Sequence, residues 1–362
     1  MPIKEKSFRI GCGRYLQERG IIASLGEEVL RLGTAPLIVG GKTALSITQS
    51  KVEKSVSVCK KYEIVEYLGS CNHERAKELC EFAQENGLDV IVGIGGGVIM
   101  DFAKLIGFYA GLPVINVPTS SATCAAYTPL SVCYTPDGRT VGSQHYEYEV
   151  NAVIADVDVI STQPKRLLLA GVFDALAKFV EIKHRFSENT TDYPIGLDWA
   201  YVLSQKSFNE LVNKTEKYIC DIESGNITDT VEQVIFNTIA GTGVISGIAR
   251  GSNQTALAHK FYESTRAMFF EESKEYLHGE IVGVGLLLQN FFNGEEENNL
   301  FLLELMKKYN MPCCLEDIGI ETTEYTKNMY YEKLKNSTAI EKDNIAEFEK
   351  LTDSLDYLWG LK

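Results

Sequence analysis

Basic residues, long apolar runs and paired cysteine motifs are scarce in this chain of 362 residues. Its 35 Lys and Arg stand against 49 Asp and Glu, a formal charge of −14. That deficit argues against nucleic acid or an anionic membrane as the main partner, because phosphate binding draws on clustered cations. A small substrate stays open, since a basic pocket can sit inside an acidic protein. No apolar run reaches the roughly 18 residues of a membrane span. The nearest, Val90 to Pro118, is broken by Asp101 and Lys104. The nine cysteines are odd in number and include no C-x-x-C, so a zinc ribbon is excluded and reduced thiols are expected. The opening Met1 to Phe8 lacks the basic-then-apolar order of a secretory leader, and a cytoplasmic protein is expected.

At roughly 150 residues per domain the length suggests about two domains. The first half alternates strand and helix signals. Pro36 to Val39, Val90 to Ile94 and Val114 to Val117 are short apolar runs closed by Gly40-Gly41, Gly95-Gly96-Gly97 and Pro118-Thr119-Ser120, as buried parallel strands would be. Asn72 is placed to cap a helix ending at Gly87, and Ile99 to Ala110 reads as a second helix. Strands joined by helices predict a parallel sheet with crossovers. Leu130 to Tyr134 and Val141 to Tyr148, around Pro136-Asp137-Gly138, read as an appended hairpin. Beyond Pro164 the texture turns helical, starting with Leu167 to Phe186. The expected architecture is a Rossmann-like α/β domain over 1–162 followed by an all-α domain over 163–362.

Two constellations point to chemistry. Glycines 95–97 lie between a strand and a helix, where backbone N–H groups can approach a phosphate. A tight turn is the alternative, and the spacing is not the usual G-x-G-x-x-G. The chain holds only five histidines. His259 follows the apolar stretch Ala256-Leu257-Ala258, and His278 heads the apolar Ile281 to Phe292. Asp174 sits within Leu167 to Ala177, where a carboxylate is costly unless paired or metal-bound. Two imidazoles and a carboxylate are the three protein ligands of a catalytic zinc; ordinary core histidines and a paired aspartate are the alternative.

The motifs Val92-Gly-Ile-Gly-Gly-Gly97-x-x-x-Asp101-x-x-Lys104, Val117-Pro118-Thr119, Ala170-Gly171-x-x-Asp174-Ala-Leu-Ala177, Ala258-His259 and Leu277-His278-Gly279-Glu280 occur in order. Together they resemble the iron-containing alcohol dehydrogenase superfamily, in its glycerol dehydrogenase branch. Ala122 to Val132 looks like the hydroxycarboxylate dehydrogenases of that branch. The resemblance implies a dehydroquinate synthase-like architecture and an NAD- or NADP-linked, metal-dependent oxidoreductase of small alcohols, commonly a homo-oligomer. It implies Asp174, His259 and His278 as ligands of one divalent metal. It implies Gly95, Gly96, Gly97 and Asp101 at the pyrophosphate and nicotinamide ribose, and Thr119 and Ser120 beside the nucleotide. Thr128, Leu130 and Tyr134 would line the nicotinamide side.

The departures from the family pattern carry information too. Iron-type members place a histidine ligand where this chain has Lys178, which favours three ligands and zinc over iron. Glycerol dehydrogenases place an aspartate at Cys124, so Cys124 becomes the candidate substrate residue and the case for glycerol itself weakens. A second histidine of those enzymes is Tyr262 here. Gly41, with Lys42, stands where NAD-preferring members tend to carry an aspartate, and the space and charge favour NADP. A 2-oxo or 2-hydroxy acid is the expected substrate class, with Lys178 or Arg250 as carboxylate anchors; a salt bridge from Lys178 to Glu181 or Glu263 is the alternative role. The rival functions are glycerol dehydrogenase proper, a sugar-phosphate cyclase of the dehydroquinate synthase type and a non-catalytic homologue.

Overall fold

A computed structural model describes residue 8 and residues 10–186 and 195–362. Most of the opening segment read above for a leader therefore lies outside the described residues. The described residues form eight strands: β1 Tyr15–Glu18, β2 Pro36–Gly40, β3 Glu63–Glu66, β4 Val90–Gly95, β5 Val114–Pro118, β6 Leu130–Tyr134, β7 Thr140–His145 and β8 Ala152–Asp156. The helices of the first half are α1 Leu25–Leu30, α2 Lys42–Val56, α3 His73–Glu85, α4 Gly97–Ala110 and α5 Val157–Ile160. After them come α6 Lys165–Arg185, α7 Leu197–Glu223, α8 Asp229–Phe236, α9 Thr242–Ala249 and α10 Leu257–Met268. The chain closes with α11 Phe270–Ser273, α12 His278–Phe292, α13 Glu297–Lys308, α14 Glu324–Lys335 and α15 Ile345–Gly360. The α/β-then-helical order agrees with the expected fold class.

The chain forms two compact units, residues 1–168 with 213–247 and residues 169–212 with 248–362, and the second division falls within α7. In the first unit, six strands make a parallel sheet in the order β1-β8-β5-β4-β2-β3. The central strands are buried along their whole length, which explains their near-continuous Val and Ile. Ile38, Val52, Val92, Ile94, Ile115 and Ile154 belong to one apolar core cluster. β6 and β7 pair antiparallel with a bulge at Cys133/Tyr134. This is the predicted hairpin, although β7 stops at His145, three residues short of the expected end. Asn72 caps α3 by accepting the Arg75 N–H at 3.0 Å.

Strand order fixes where a ligand can enter this sheet. From β2 the chain runs to β3 on one side, whereas from β4 it runs to β5 on the other. The carboxyl ends of β2 and β4 therefore flank a topological switch point, the usual binding crevice of open α/β sheets. Gly41 and glycines 95–97 stand there. In the second unit, the polar outer and apolar inner faces of the helices set the packing. α12 is buried over nearly its full length. Among the described residues, no helix is long and apolar enough to cross a membrane.

Candidate functional site

Glycine brings α12 close to two neighbouring helices. A Cβ added at Gly279 would stand 1.8 Å from the Ala170 carbonyl oxygen of α6. One added at Gly285 would meet the Ala258 carbonyl oxygen of α10 at 2.6 Å. These approaches seat the first turn of α12 against α6 and its middle against α10. Glu280 fixes the helix start by accepting the Leu277 N–H at 2.7 Å. A carboxylate there also suits the helix dipole.

Three side chains converge as a result. One ligand atom each from Asp174 of α6, His259 of α10 and His278 of α12 lies within 4.8 Å of the others. His259 Nε2 is 3.3 Å and His278 Nε2 3.4 Å from the same oxygen, Asp174 Oδ1. That oxygen is buried and makes no hydrogen bond. Two imidazole nitrogens and an orphaned carboxylate oxygen around one point match the donor set of a divalent metal, so the residues present fit the implied ion. The imidazoles hold no hydrogen bond there that a metal would have to displace.

The surrounding shell orients these groups. Glu181, fully buried and two turns along α6 from Asp174, meets His259 Nδ1 through Oε2 at 2.5 Å. Its Oε1 accepts the backbone N–H of His259 at 2.8 Å and of Ala256 at 2.7 Å. A carboxylate on Nδ1 places the proton there and leaves Nε2 with its lone pair free. Burial alone would raise both carboxyl groups. For Asp174 the His278 charge, the nearness of both imidazoles and the Lys178 charge outweigh it, holding the group well below the usual carboxylate range. For Glu181 the charge and bonds of His259 and the charge of Lys178 lower the carboxyl from its ordinary value. Tyr262 packs edge-on to His278, ring centroids 4.2 Å apart. Arg266 lies 5.6 Å from that ring and donates to the Ser273 and Tyr276 carbonyls, tying down the approach to α12.

Glu181 was not among the site residues expected from sequence. The available signal was its place at i+7 from Asp174, on the same face of an apolar helix. Neither expected salt bridge of Lys178 forms: Glu181 is engaged by His259, and Glu263 pairs with Lys260 at 2.6 Å.

The cofactor candidates lie in the other unit. Gly96 caps α4 with φ −82°, and a Cβ there would find Ser120 Oγ no closer than 3.6 Å. Gly41 caps α2 with φ −72°, and its nearest neighbour would be Ile99 Cγ1 at 3.7 Å. Neither backbone angle nor packing requires glycine at these two positions, so a tight turn does not explain them. The α4 N-terminus has no side-chain cap, which leaves N–H groups for an anion. Gly95 is different, because a Cβ there would strike Ile99 Cβ at 2.9 Å. At Gly97 a Cβ would come within 3.0 Å of Thr123 Oγ1. The Thr119 N–H donates to the Gly95 carbonyl at 2.9 Å, joining the two strand ends.

Asp101 is buried, with Oδ2 accepting the Val132 N–H at 3.0 Å and Oδ1 paired to Lys104 Nζ at 2.9 Å. Lys104 also donates to the carbonyls of Ala125 (2.7 Å), Thr128 (2.9 Å) and Leu130. It thus pins the loop carrying Cys124, Thr128 and Leu130 to α4. No role for Lys104 was expected from sequence, although its i+3 spacing from Asp101 was a signal. The Cys124 carbonyl accepts the Tyr127 and Thr128 N–H groups at 2.9 and 3.2 Å. Tyr134 is tied to Cys71 through its own N–H at 2.8 Å.

An uncapped helix start at a sheet switch point and a three-residue cluster with a metal's donor set are what a metal-assisted, dinucleotide-linked oxidoreductase would need. Comparison with known proteins agrees. Residues 12–158 match the model of the iron-containing alcohol dehydrogenase family. Glycerol dehydrogenase of Escherichia coli O6:H1 is 32% identical over 280 residues, 76% of this chain and 75% of that protein. Hydroxycarboxylate dehydrogenase A of Escherichia coli K12 is 29% identical over 286 residues, 78% and 76% of the two chains. Among solved structures, glycerol dehydrogenase from Schizosaccharomyces pombe superposes with a TM-score of 0.80 at 22% identity, covering 98% of this chain and 92% of that one. The chain belongs to the iron-containing alcohol dehydrogenase family.

Proposed function

We propose that this protein interconverts a small alcohol, a 2-hydroxy acid or polyol, with its carbonyl compound, using one divalent metal and NAD or NADP. The observation that carries the reading is the meeting of His259 Nε2 and His278 Nε2 on one orphaned oxygen of Asp174. When bound, the metal would supply Lewis acidity to the substrate oxygen, and the dinucleotide would take or give the hydride.

The chain's own residues do the rest. Asp174, His259 and His278 would hold the metal. Glu181 keeps His259 in the tautomer whose Nε2 can bind. The α4 N-terminus and Gly96 would receive the pyrophosphate, with Asp101, Thr119, Ser120, Thr128, Leu130 and Tyr134 around the nicotinamide half. Cys124 remains the substrate candidate of that unit. Three ligands with Lys178 in the fourth family position favour zinc over iron. Gly41 leaves room at the end of β2, and α2 opens with Lys42 and no acid in its first turn, an arrangement that favours a 2′-phosphate and so NADP. In this reading residues 1–162 serve the nucleotide and 163–362 the metal, in a cytoplasmic homo-oligomer.

The test is a panel of glycerol, 2-hydroxy acids and 2-oxo acids with NAD(H) and NADP(H), on protein of measured metal content. Metal-dependent turnover of 2-oxo acids supports the proposal. Activity on glycerol alone would establish the second reading, which the 32% identity to a glycerol dehydrogenase favours. No hydride transfer with any member would overturn both.

A further inference from the structure

This inference rests on the metal-dependent dehydrogenase reading and deepens it by naming the charge of the substrate. Asp174, Lys178 and Glu181 occupy positions i, i+4 and i+7 of α6 and share one face of that helix. Glu181 is hydrogen-bonded by His259, and Asp174 faces His259 and His278. Lys178, between them, is 4% exposed. Among the described residues its ammonium makes no hydrogen bond or ion pair. An ammonium on so enclosed a side chain is costly without a partner, and the Glu181 carboxylate is taken by His259. Its charge is nevertheless felt by Asp174, Glu181 and His259.

The charges of the cluster point to what is missing. Two carboxylates and one ammonium sum to −1, and a divalent cation on Asp174, His259 and His278 would bring the cluster to +1. One anion would restore neutrality. Along a helix, positions i and i+4 are separated by about 6 Å. In a 2-oxo acid the carbonyl oxygen and the carboxylate are on adjacent carbons, so one helix face can serve both ends of such a molecule. We propose that Lys178 is a specificity-determining residue that binds the carboxylate of the substrate, selecting 2-oxo and 2-hydroxy acids over neutral polyols.

The test uses a matched pair, pyruvate and hydroxyacetone, in which a neutral CH2OH replaces the carboxylate. Equilibrium binding of each to the metal-loaded protein is measured by calorimetry, alongside kcat/KM, for wild type, Lys178→Met and Lys178→Arg. The preference for pyruvate over hydroxyacetone should fall about 10- to 100-fold in Lys178→Met, the range for a charge-assisted hydrogen bond, and be partly restored in Lys178→Arg. Equal loss for both compounds would make Lys178 structural and overturn the proposal. So would a wild type with no preference for the anion. Should Lys178→Met not fold, Lys178→Arg and the wild-type preference still decide. Failure of hydride transfer with every carbonyl compound would sink the dehydrogenase reading, while the binding preference and its dependence on Lys178 would judge this inference separately.

Discussion

Replacing Gly279 by alanine probes how the fold brings together the three side chains proposed to hold the metal. The new Cβ would stand 1.8 Å from the Ala170 carbonyl oxygen, 2.5 Å from its carbon and 2.8 Å from Cα. All three are backbone atoms of α6, so no side chain can swing away. Helix α12 must retreat from α6 by more than 1 Å to reach an ordinary contact. His278 precedes the substituted residue, and its Nε2 is 3.4 Å from Asp174 Oδ1. A shift of that size at the neighbouring residue moves one ligand out of register with the other two. Overpacking should cost about 1–3 kcal/mol of stability, and displacement by about 1 Å roughly 100-fold in activity. Metal content by mass spectrometry after dialysis against a chelator, together with Tm, reads both effects. Gly283→Ala is the control, since its nearest contact is the flexible tip of Met306 at 2.9 Å. A Gly279→Ala protein with unchanged Tm, full metal and activity within twofold of wild type would refute the packing argument.

Other perturbations separate the remaining roles. Glu181→Ala should weaken metal affinity about 10- to 100-fold, measured by chelator competition, and Glu181→Gln less, because an amide oxygen can still accept the two backbone N–H groups. Gly96→Ala should leave Tm within about 1 °C, as the site has room and an ordinary φ, yet weaken dinucleotide binding at least about tenfold by blocking approach to the α4 N-terminus; calorimetry with NAD(P)H reads it. Gly41→Asp should shift the kcat/KM ratio toward NAD by about tenfold or more, through repulsion of a 2′-phosphate; an unchanged ratio would remove Gly41 from cofactor choice.

The central strands were legible because burial on both faces writes itself as an unbroken apolar run. β3, Glu-Ile-Val-Glu, and β1, Tyr-Leu-Gln-Glu, were not read as strands. Both are four-residue edge strands with one neighbour each and partly exposed side chains. β8 was also missed, although Ala-Val-Ile-Ala-Asp is fully buried. Four apolar residues and an aspartate directly before a helical turn give little period to read. Asp156 ends that strand and accepts the N–H groups of Ile22 and Val159 at 3.0 and 3.2 Å, contacts distant in sequence or hidden in a cap. At the cluster of Asp174, His259 and His278 the residue types were readable but their convergence was not. His259 and His278 lie on different helices, and what joins them is the absence of a Cβ at Gly279 and Gly285. Glu181 and Lys178 looked like a simple ion pair by spacing; the imidazole of His259, far away in sequence, takes the carboxylate instead.

The most direct measurement is metal stoichiometry on chelator-treated protein retitrated with zinc. Wild type should bind one ion per chain with recovery of hydride transfer, and His259→Ala and Asp174→Asn should bind none at that site while still binding dinucleotide. Full hydride transfer from metal-free protein, or unchanged zinc binding in both variants, would contradict the account.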